Sequence, residues 1–244
     1  MRNSIFIMLT AILSCNCSSQ NAGQVETIKS YYFPYAEFKE PRTYYYVNSN
    51  DTSEKSTWIM QTKVQQSDTL FSTQILDSKD RVLESLVEKI TAHSSLLIYY
   101  KLFDYDSANN QLSRNCVIKD SLIFKWNHKL NESIVWRINY VDYIIPNDIE
   151  FSKTRKYVRY DKEKEQIVFK DQFRYAQLGT DKVYNWTTDS YYQKGTGLVN
   201  FKVHLPDGTL RDFKLVNIKK NGSSLNNTIN GSIITNQRQI HSSL

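Results

Sequence analysis

The chain has 244 residues, a moderate apolar content and a small excess of basic over acidic side chains. Its 40% hydrophobic and 13% aromatic content is enough for a packed core, which excludes a wholly disordered protein. With only 7 Gly and 4 Pro, it is neither a low-complexity nor a collagen-like chain. The net charge of +6 is spread along the sequence and not clustered on a basic helix, so we expect no nucleic-acid partner.

The amino terminus has the layout of a secretory signal. Arg2 precedes an apolar run over residues 5–13, and the small residue Ser14 ends that run. Cys15 follows directly, and residues 12–15 (Ile-Leu-Ser-Cys) resemble the cleavage motif of bacterial lipoproteins. The resemblance implies that residues 1–14 are removed and that Cys15 is the lipid attachment site, with palmitate as an expected acyl group. Two alternatives stay open: an ordinary cleaved signal, or Cys17 as the acceptor.

The composition divides the rest of the chain into three parts. Residues 15–24 are small and polar, and we interpret them as a lipidated flexible tether. Residues 25–220 form the predicted β domain, which starts near Val25. Residues 221–244 are rich in Asn, Ser, Gly and Thr, which predicts a disordered polar tail. The resemblance of residues 12–15 to the lipoprotein motif implies a location in the bacterial cell envelope, at the outer membrane, facing the periplasm or the cell surface.

Aromatic and β-branched residues recur with a period of two throughout this domain, as is typical of β-strands. This pattern predicts strands at residues 42–47, 57–64, 69–76, 96–105, 117–126, 133–143, 156–160, 166–173, 182–192, 198–205 and 209–218. We therefore expect a mainly β fold with a single antiparallel curved sheet or half-barrel. A β-sandwich is the alternative.

The segment from residue 80 to residue 91 fits two structures. Val82, Leu86 and Ile90 recur at a spacing close to that of a helix, but as a strand they would share one face with Glu84 and Glu88. The neighbouring segments are predicted strands, so we interpret this segment as a strand too. The basic residues Lys153, Arg155, Lys156 and Arg159 are interpreted as part of a solvated face.

The carboxy-terminal stretch 191–201 reads Tyr-Tyr-Gln-Lys-Gly-Thr-Gly-Leu-Val-Asn-Phe, and a hairpin with a Pro-Asp-Gly turn follows it. Gly195 and Gly197 permit a bulge or a sharp bend in this stretch. The stretch resembles the ending of uncharacterised bacterial exported β-rich lipoproteins, which in turn are similar to half-barrel carriers of the LolA/LolB type. That resemblance implies a curved sheet around an apolar cavity. It assigns no functional residue.

No motif in the sequence assigns a catalytic residue, a metal ligand or a cofactor site. The four histidines, at positions 93, 128, 204 and 241, have no metal-binding spacing. The carboxylates Asp104, Asp106, Asp142 and Asp148 are expected at the surface. An envelope hydrolase remains an alternative if folding brings His128 or His204 next to two carboxylates. A structural subunit of an envelope complex is a further alternative.

Aromatic residues are the most suggestive feature of the predicted strands. Tyr44, Tyr45 and Tyr46 are adjacent in one strand, so their side chains must point to opposite faces. Packing explains many such residues, but aromatic walls also suit a cavity for an apolar ligand. We therefore expect a membrane-anchored protein that binds a lipid, a lipoprotein, a glycan or an envelope partner without catalysing a reaction. Cys116 is expected to be a small buried residue, without a structural bridge to Cys17.

Overall fold

A computed structural model describes residues 27–142 and 147–220 of the chain. Two short 3-10 helices, Ile28–Tyr31 and Tyr35–Glu37, precede fourteen strands. The strands are β1 (Arg42–Asn48), β2 (Lys55–Gln65), β3 (Asp68–Leu76), β4 (Val82–Ile90), β5 (Ser94–Tyr105), β6 (Gln111–Asn115), β7 (Val117–Asp120), β8 (Leu122–Lys125), β9 (Ser133–Asp142), β10 (Asn147–Asp161), β11 (Gln166–Gln177), β12 (Val183–Gln193), β13 (Gly197–His204) and β14 (Leu210–Lys220). In these two ranges, no helix has the length and apolar character needed to cross a membrane.

Several predictions fall on parts of the chain that the structure does not describe. They are the signal at residues 1–14, Cys15 and Cys17, the tether to residue 24, the domain start near Val25 and the tail at residues 221–244. All of them lie outside the described residues.

The strands form one antiparallel sheet. Strands β1 to β5 pair in sequence order, and strands β9 to β14 do the same. The pairing of β1 with β14, in which Arg42 is opposite Lys220, joins the two series. The prediction of a mainly β fold with a single antiparallel sheet is therefore confirmed, and the alternative of a two-sheet sandwich is not what the chain forms.

The segment from β6 to β8 brings the two edges of the sheet together. Strands β6 and β8 pair with β5, whereas β7, which lies between them in sequence, pairs with β9. The backbone N–H of Leu97 also donates to the carbonyl of Ser121, at 2.7 Å. The sheet is thus a nearly closed barrel and curls further than the predicted half-barrel. The predicted strand at residues 117–126 is two short strands, because the chain changes edges at Ser121.

Strand β4 resolves the ambiguous segment as a strand, as predicted. As in that interpretation, Glu84, Leu86 and Glu88 share a face, and all three line the interior of the barrel. The sheet is more extensive than the predicted strands. Strand β10 begins at Asn147, well before residue 156, and the polar strand β6 has no apolar alternation that could have indicated it.

Residues 27–38 close one end of the barrel, and we call them the N-terminal plug. Four of their aromatic side chains are buried against inward-facing residues of the strands: Tyr31, Tyr32, Phe33 and Phe38. The plug is also held by backbone hydrogen bonds. The N–H of Gly195 donates to the carbonyl of Ser30 at 2.9 Å, and the N–H of Thr62 donates to the carbonyl of Phe38 at 2.8 Å. The plug therefore covers the end at which β2 meets β3 and β12 meets β13.

Gly197 allows the plug to approach the wall of the barrel. Its φ of +93° lies in the left-handed region, and a Cβ atom at this position would be 2.5 Å from Cδ1 of Phe33. The pairing of β12 with β13 shifts register between Tyr191 and Tyr192, at Val199, two residues beyond this glycine. The predicted bulge near Gly195 and Gly197 is thus confirmed.

Candidate functional site

The interior of the barrel beyond the plug is a cavity of about 570 Å³. Its rim includes Lys55 at the start of β2, Ser78 in the β3–β4 turn and Arg211 at the start of β14. These three residues are exposed, so the cavity opens at the end opposite the plug. A volume of this size lies within the range of roughly 300–1,000 Å³ that is usual for small-molecule sites.

Four large aromatic side chains from β9 to β12 form one wall of the cavity, and we call them the aromatic band: Trp136, Phe151, Phe173 and Trp186. The rings of Phe173 and Trp186 are parallel, with centroids 5.2 Å apart, because the two residues are paired across β11 and β12. Phe151 lies 5.9 Å from each of them, and Trp136 lies 5.6 Å from Phe151. Trp58, Phe201 and Phe213 also line the cavity. The walls therefore offer broad apolar surfaces to a ligand.

Charged side chains begin beside the aromatic band, where Lys153 is paired with Trp136 and Phe173, and continue toward the plug with Arg155 and Asp171. Alternation along β10 places Phe151, Lys153, Arg155 and Tyr157 on the inner face, in this order from the rim toward the plug. The Nε and Nη2 atoms of Arg155 donate to the two carboxylate oxygens of Asp171 at 2.8 and 2.9 Å. Lys153 Nζ contacts Asp171 at 2.9 Å, and the hydroxyl of Ser190 donates to the same carboxylate at 2.9 Å. We call Lys153, Arg155, Asp171 and Ser190 the buried ion cluster.

The environment of the buried ion cluster explains how it tolerates burial. Asp171 has no exposed surface, and the pKa of its carboxyl is held far below its ordinary value by the positive charges of Arg155 and Lys153, which outweigh the opposing effect of burial. The guanidinium of Arg155 lies 5.1 Å from the ring centroids of both Phe124 and Phe169 and 5.4 Å from that of Tyr192. These contacts add cation–π attraction to the bidentate ion pair, so the desolvated charge of Arg155 is well compensated.

Two glutamates on β4 face the cavity from the opposite wall. Glu84 accepts a hydrogen bond of 2.6 Å from the hydroxyl of Tyr100. Glu88 accepts one of 2.6 Å from Tyr32 of the plug and another from the hydroxyl of Ser95. Burial raises the pKa of both carboxyl groups above the ordinary value. The glutamates and the buried ion cluster together form the cavity floor, and Tyr32 joins the plug to it.

Lys153 lies between these groups, on the same side of the cavity as the aromatic band. Burial and the neighbouring charge of Arg155 lower the pKa of its ammonium group to about 8, against the attraction of Asp171 and Glu84. Its Nζ atom also lies 4.9 Å from the ring centroid of Phe173. The side chain retains 16% of its surface, so it remains accessible from the cavity.

The structure does not bring the predicted hydrolase residues together. His128 is buried, its Nε2 atom is 2.9 Å from the carbonyl of Glu132, and it does not line the cavity. His204 is exposed and pairs with Asp189 at 3.1 Å. Asp104 forms an ion pair with Arg114.

The other predicted carboxylates and histidines lie apart from the cavity as well. Asp106 accepts hydrogen bonds from Asn110 in a turn, and Asp148 and His93 are exposed. The side chain of Asp142 and the whole of His241 are outside the described residues. No group of three or more His, Cys, Asp or Glu side chains suited to a metal ion occurs in residues 27–142 and 147–220.

The interpretation of the basic residues on β10 as a solvated face is wrong for two of them. Lys153 and Arg155 point into the barrel, whereas Lys156 and Arg159 point away from it. The sequence does indicate this inward orientation, because Lys153 and Arg155 fall on the same face of the strand as Phe151 and Tyr157. A charged residue on the apolar face of a strand needs a buried partner, but that partner lies on β11, and a single sequence does not specify the register of β10 and β11.

The predicted division of adjacent aromatic residues between two faces is confirmed for β1. Tyr44 and Tyr46 are buried inside the barrel, while Tyr45 is half-buried and lies 5.3 Å under the Nζ atom of Lys219. Cys116 is half-buried and packs beside Leu97 and Tyr100. Burial raises the pKa of its thiol to about 12.

Comparison with known proteins identifies the fold but no family. No protein-family model and no curated protein matches the sequence. A solved structure from Bacteroides fragilis, described as a "putative exported protein with YmcC-like fold", has a TM-score of 0.51 at 10% identity over 78% of this chain and 99% of that chain. A "putative lipoprotein" from Parabacteroides distasonis has a TM-score of 0.45 at 9% identity over 77% of this chain and 97% of that one.

At such identities the likeness concerns the fold alone. The fold comparison thus supports a YmcC-like barrel and does not support the predicted resemblance to half-barrel carriers of the LolA/LolB type. The nearly closed sheet of this chain agrees with that correction.

Proposed function

We propose that this chain is an exported binding protein whose barrel cavity holds an amphipathic ligand without changing it chemically. The observation that supports this function is the cavity itself, in which the aromatic band adjoins a buried, charged floor. The ionised groups of the floor are bound to one another by hydrogen bonds, as in a preformed recognition site. A lipid or the acyl chain of a lipoprotein suits these walls better than a glycan, because aromatic side chains dominate them.

The proposal includes a membrane anchor at Cys15 in the bacterial cell envelope, at the outer membrane, facing the periplasm or the cell surface. Two observations support it: the lipoprotein-like motif at residues 12–15 and the description of the Bacteroides fragilis protein as exported.

Ligand binding is tested with the protein purified from cell envelopes. Native mass spectrometry of the full chain should show a co-purifying lipid-like species. Of the four tryptophans, Trp58, Trp136 and Trp186 line the cavity, so a fluorescent fatty-acid probe should receive excitation energy from them. Val203→Trp, at a half-buried position on the cavity wall, should reduce binding of the lipid in native mass spectrometry.

The control for this variant is Val216→Trp, at an outward position that is 61% exposed. It adds the same side chain and should leave lipid binding unchanged. Repeated recovery of an empty protein, together with no energy transfer to the probe, would contradict the proposed function. An equal loss of binding in both variants would show that the lipid does not occupy the cavity.

The anchor has a separate test. Metabolic labelling with a fatty acid should modify the chain in cells, and Cys15→Ser should abolish the label, while Cys17→Ser should retain it. Labelling that persists in the Cys15→Ser variant and disappears in the Cys17→Ser variant would move the attachment site to Cys17. Labelling of neither the parent nor either variant would end the anchor hypothesis.

A further inference from the structure

The buried ammonium of Lys153 is the part of the cavity floor best able to bind a ligand. Its described contacts are the 2.9 Å ion pair with Asp171 and the approach to the ring of Phe173. An ammonium group has three N–H donors. Within residues 27–142 and 147–220, therefore, the protein supplies Lys153 with one hydrogen-bond acceptor, and the remaining donors are available to a molecule in the cavity.

The other cation of the floor is fully engaged and cannot take this role. Arg155 is 4% exposed, holds Asp171 with two hydrogen bonds and is enclosed by three aromatic rings. Arg155 therefore has a structural role. Because it already occupies both carboxylate oxygens of Asp171, Lys153 shares that carboxylate and has no anion of its own in the described cluster. Lys153 is thus held by the buried ion cluster, while part of its side chain stays exposed to the cavity.

The side chains around Lys153 determine what else a ligand bound there would contact. Phe151 precedes Lys153 by two residues on β10, so their side chains are about 7 Å apart along the strand on the same face. Trp136 and Phe173 lie directly opposite Lys153 on the two neighbouring strands. Phe151 contacts both of them and Trp186, so the rings flank Lys153 and continue toward the rim. A molecule that reaches Lys153 must therefore have its remaining part among aromatic rings.

We propose that the cavity binds a single-chain amphiphile with its anionic head group inward, on Lys153, and its apolar chain along the aromatic band toward the rim. This inference rests on the proposed function and specifies its ligand. Carboxylate and phosphate head groups share the required chemistry, because both present several oxygen acceptors to an ammonium donor. The orientation follows from the position of Lys153 on β10, where Phe151 lies on its rim side and the ion pair of Arg155 with Asp171 occupies its plug side.

The carboxyl groups on β4 are compatible with an anion at this position. Glu84 shares its carboxylate with the hydroxyl of Tyr100, and burial raises its pKa, which favours the neutral acid over a second negative charge. The two cations of the floor, Lys153 and Arg155, share the single carboxylate of Asp171. An anionic head group gives Lys153 a second anionic partner inside the barrel, where an unbalanced charge is costly.

The test is a head-group series on the full-length protein. Four molecules with the same twelve-carbon chain are compared: dodecanoate, dodecyl phosphate, neutral dodecanol and cationic dodecyltrimethylammonium. Binding is measured by displacement of a neutral fluorescent probe. The two anions should bind about tenfold or more tightly than dodecanol, since a hydrogen bond from a charged donor contributes on that scale. Acetate and inorganic phosphate should displace no probe, which distinguishes an amphiphile from a free anion.

Substitution of the lysine identifies the residue responsible. Lys153→Met removes the charge but keeps the length of the side chain, and dodecanoate should then bind no more tightly than dodecanol. Lys153→Arg should keep the preference for anions. Lys55→Met is the matched control, because Lys55 is an exposed lysine at the rim of the same cavity, and it should retain the full preference.

The outcomes separate this inference from the proposed function. Equal affinity for all four head groups, or tighter binding of the cation, would overturn the inward anionic head group and leave the binding cavity intact. No affinity for any of the four chains would count against the proposed function itself. If Lys153→Met does not fold, the head-group series on the unsubstituted protein still decides between these outcomes.

Discussion

Substitution of Asp171 by asparagine is the sharpest test of the buried ion cluster. The carboxylate of Asp171 is fully buried and accepts two hydrogen bonds from Arg155, one from Lys153 and one from Ser190. Asparagine has nearly the same shape but no charge, and its amide NH₂ would face donors instead of acceptors. The substitution therefore leaves two cations in the interior of the barrel without their shared anion.

The expected cost follows from these contacts. Removing one partner of a buried ion pair costs about 3–5 kcal/mol, because the remaining charge is desolvated and unpaired. Lys153 can relieve part of this cost by losing its proton, since its pKa of about 8 is already close to neutral pH and falls further without Asp171. Arg155 cannot do so. We therefore expect Asp171→Asn to lower the free energy of unfolding by about 3 kcal/mol at pH 7, and by less at pH 9.

The assay is urea denaturation followed by far-ultraviolet circular dichroism, with the free energy of unfolding extrapolated to water. Asp189→Asn on the neighbouring strand β12 is the matched control, because Asp189 pairs at the surface with His204 and such pairs contribute about 1 kcal/mol or less. If the two variants lose the same stability, the cluster does not contribute to stability as we argue.

A second variant tests whether the unpaired charge is the cause. Replacing both partners, with Arg155→Met and Asp171→Leu, removes the charges of this pair together and keeps most of the volume, and the remaining Lys153 can lose its proton. Such replacements are often nearly neutral for stability. We expect the double variant to be clearly more stable than Asp171→Asn. A double variant that is equally unstable or less stable would assign the cost to lost packing, including the ring contacts of Arg155.

Three further predictions concern other parts of the barrel. Gly197→Ala should destabilise the protein by several kcal/mol more than Gly195→Ala in the same urea assay. Both glycines have positive φ, but only at Gly197 does the added Cβ lie 2.5 Å from Phe33. Equal losses of stability would contradict the close approach of the plug. Glu88→Gln should raise the melting temperature by about 2–4 °C at pH 7 and leave it unchanged at pH 4. The raised pKa of Glu88 stabilises the folded protein at a pH below the ordinary pKa of a glutamate, and this contribution is lost as the pH rises through the pKa in the folded protein. A variant that is less stable at both pH values would show that the ionised form is needed. The thiol of Cys116 is half-buried, and its pKa is raised to about 12. It should react with iodoacetamide at pH 8 at least about tenfold more slowly in the folded protein than in urea, as followed by peptide mass spectrometry. Similar rates in the two conditions would place the thiol at the surface.

The strands of the sheet could be predicted because their signal is local. In β9, for example, Ile134, Trp136 and Ile138 are all buried and alternate with more exposed residues, as the period of two requires. The same logic is sufficient for β4, where alternation along a strand is enough to put Glu84 and Glu88 on one face. Strand β6 has no such signal, since its pairing with β5 and not its own composition makes it a strand.

The candidate site could be predicted only in outline. The abundance of aromatic residues on the strands suggests a cavity, and the structure places Trp136, Phe173 and Trp186 around one. The charged floor could not be predicted, because Lys153 and Asp171 are eighteen residues apart in a sequence with many surface charges. Tyr32, which links the plug to Glu88, has a partner still more distant in sequence.

By itself, the amino-acid sequence determined that this protein is mainly β, with an antiparallel sheet and a tight bend before its last hairpin, because alternation and turn chemistry act between near neighbours. The tertiary structure alone decided that the sheet closes into a barrel, that residues 27–38 plug one end and that Lys153 and Arg155 point inward. Each of these depends on strand register and on contacts between distant segments. A one-residue change of register would turn every inward side chain of a strand outward, and no local pattern in a single sequence specifies that register across fourteen strands.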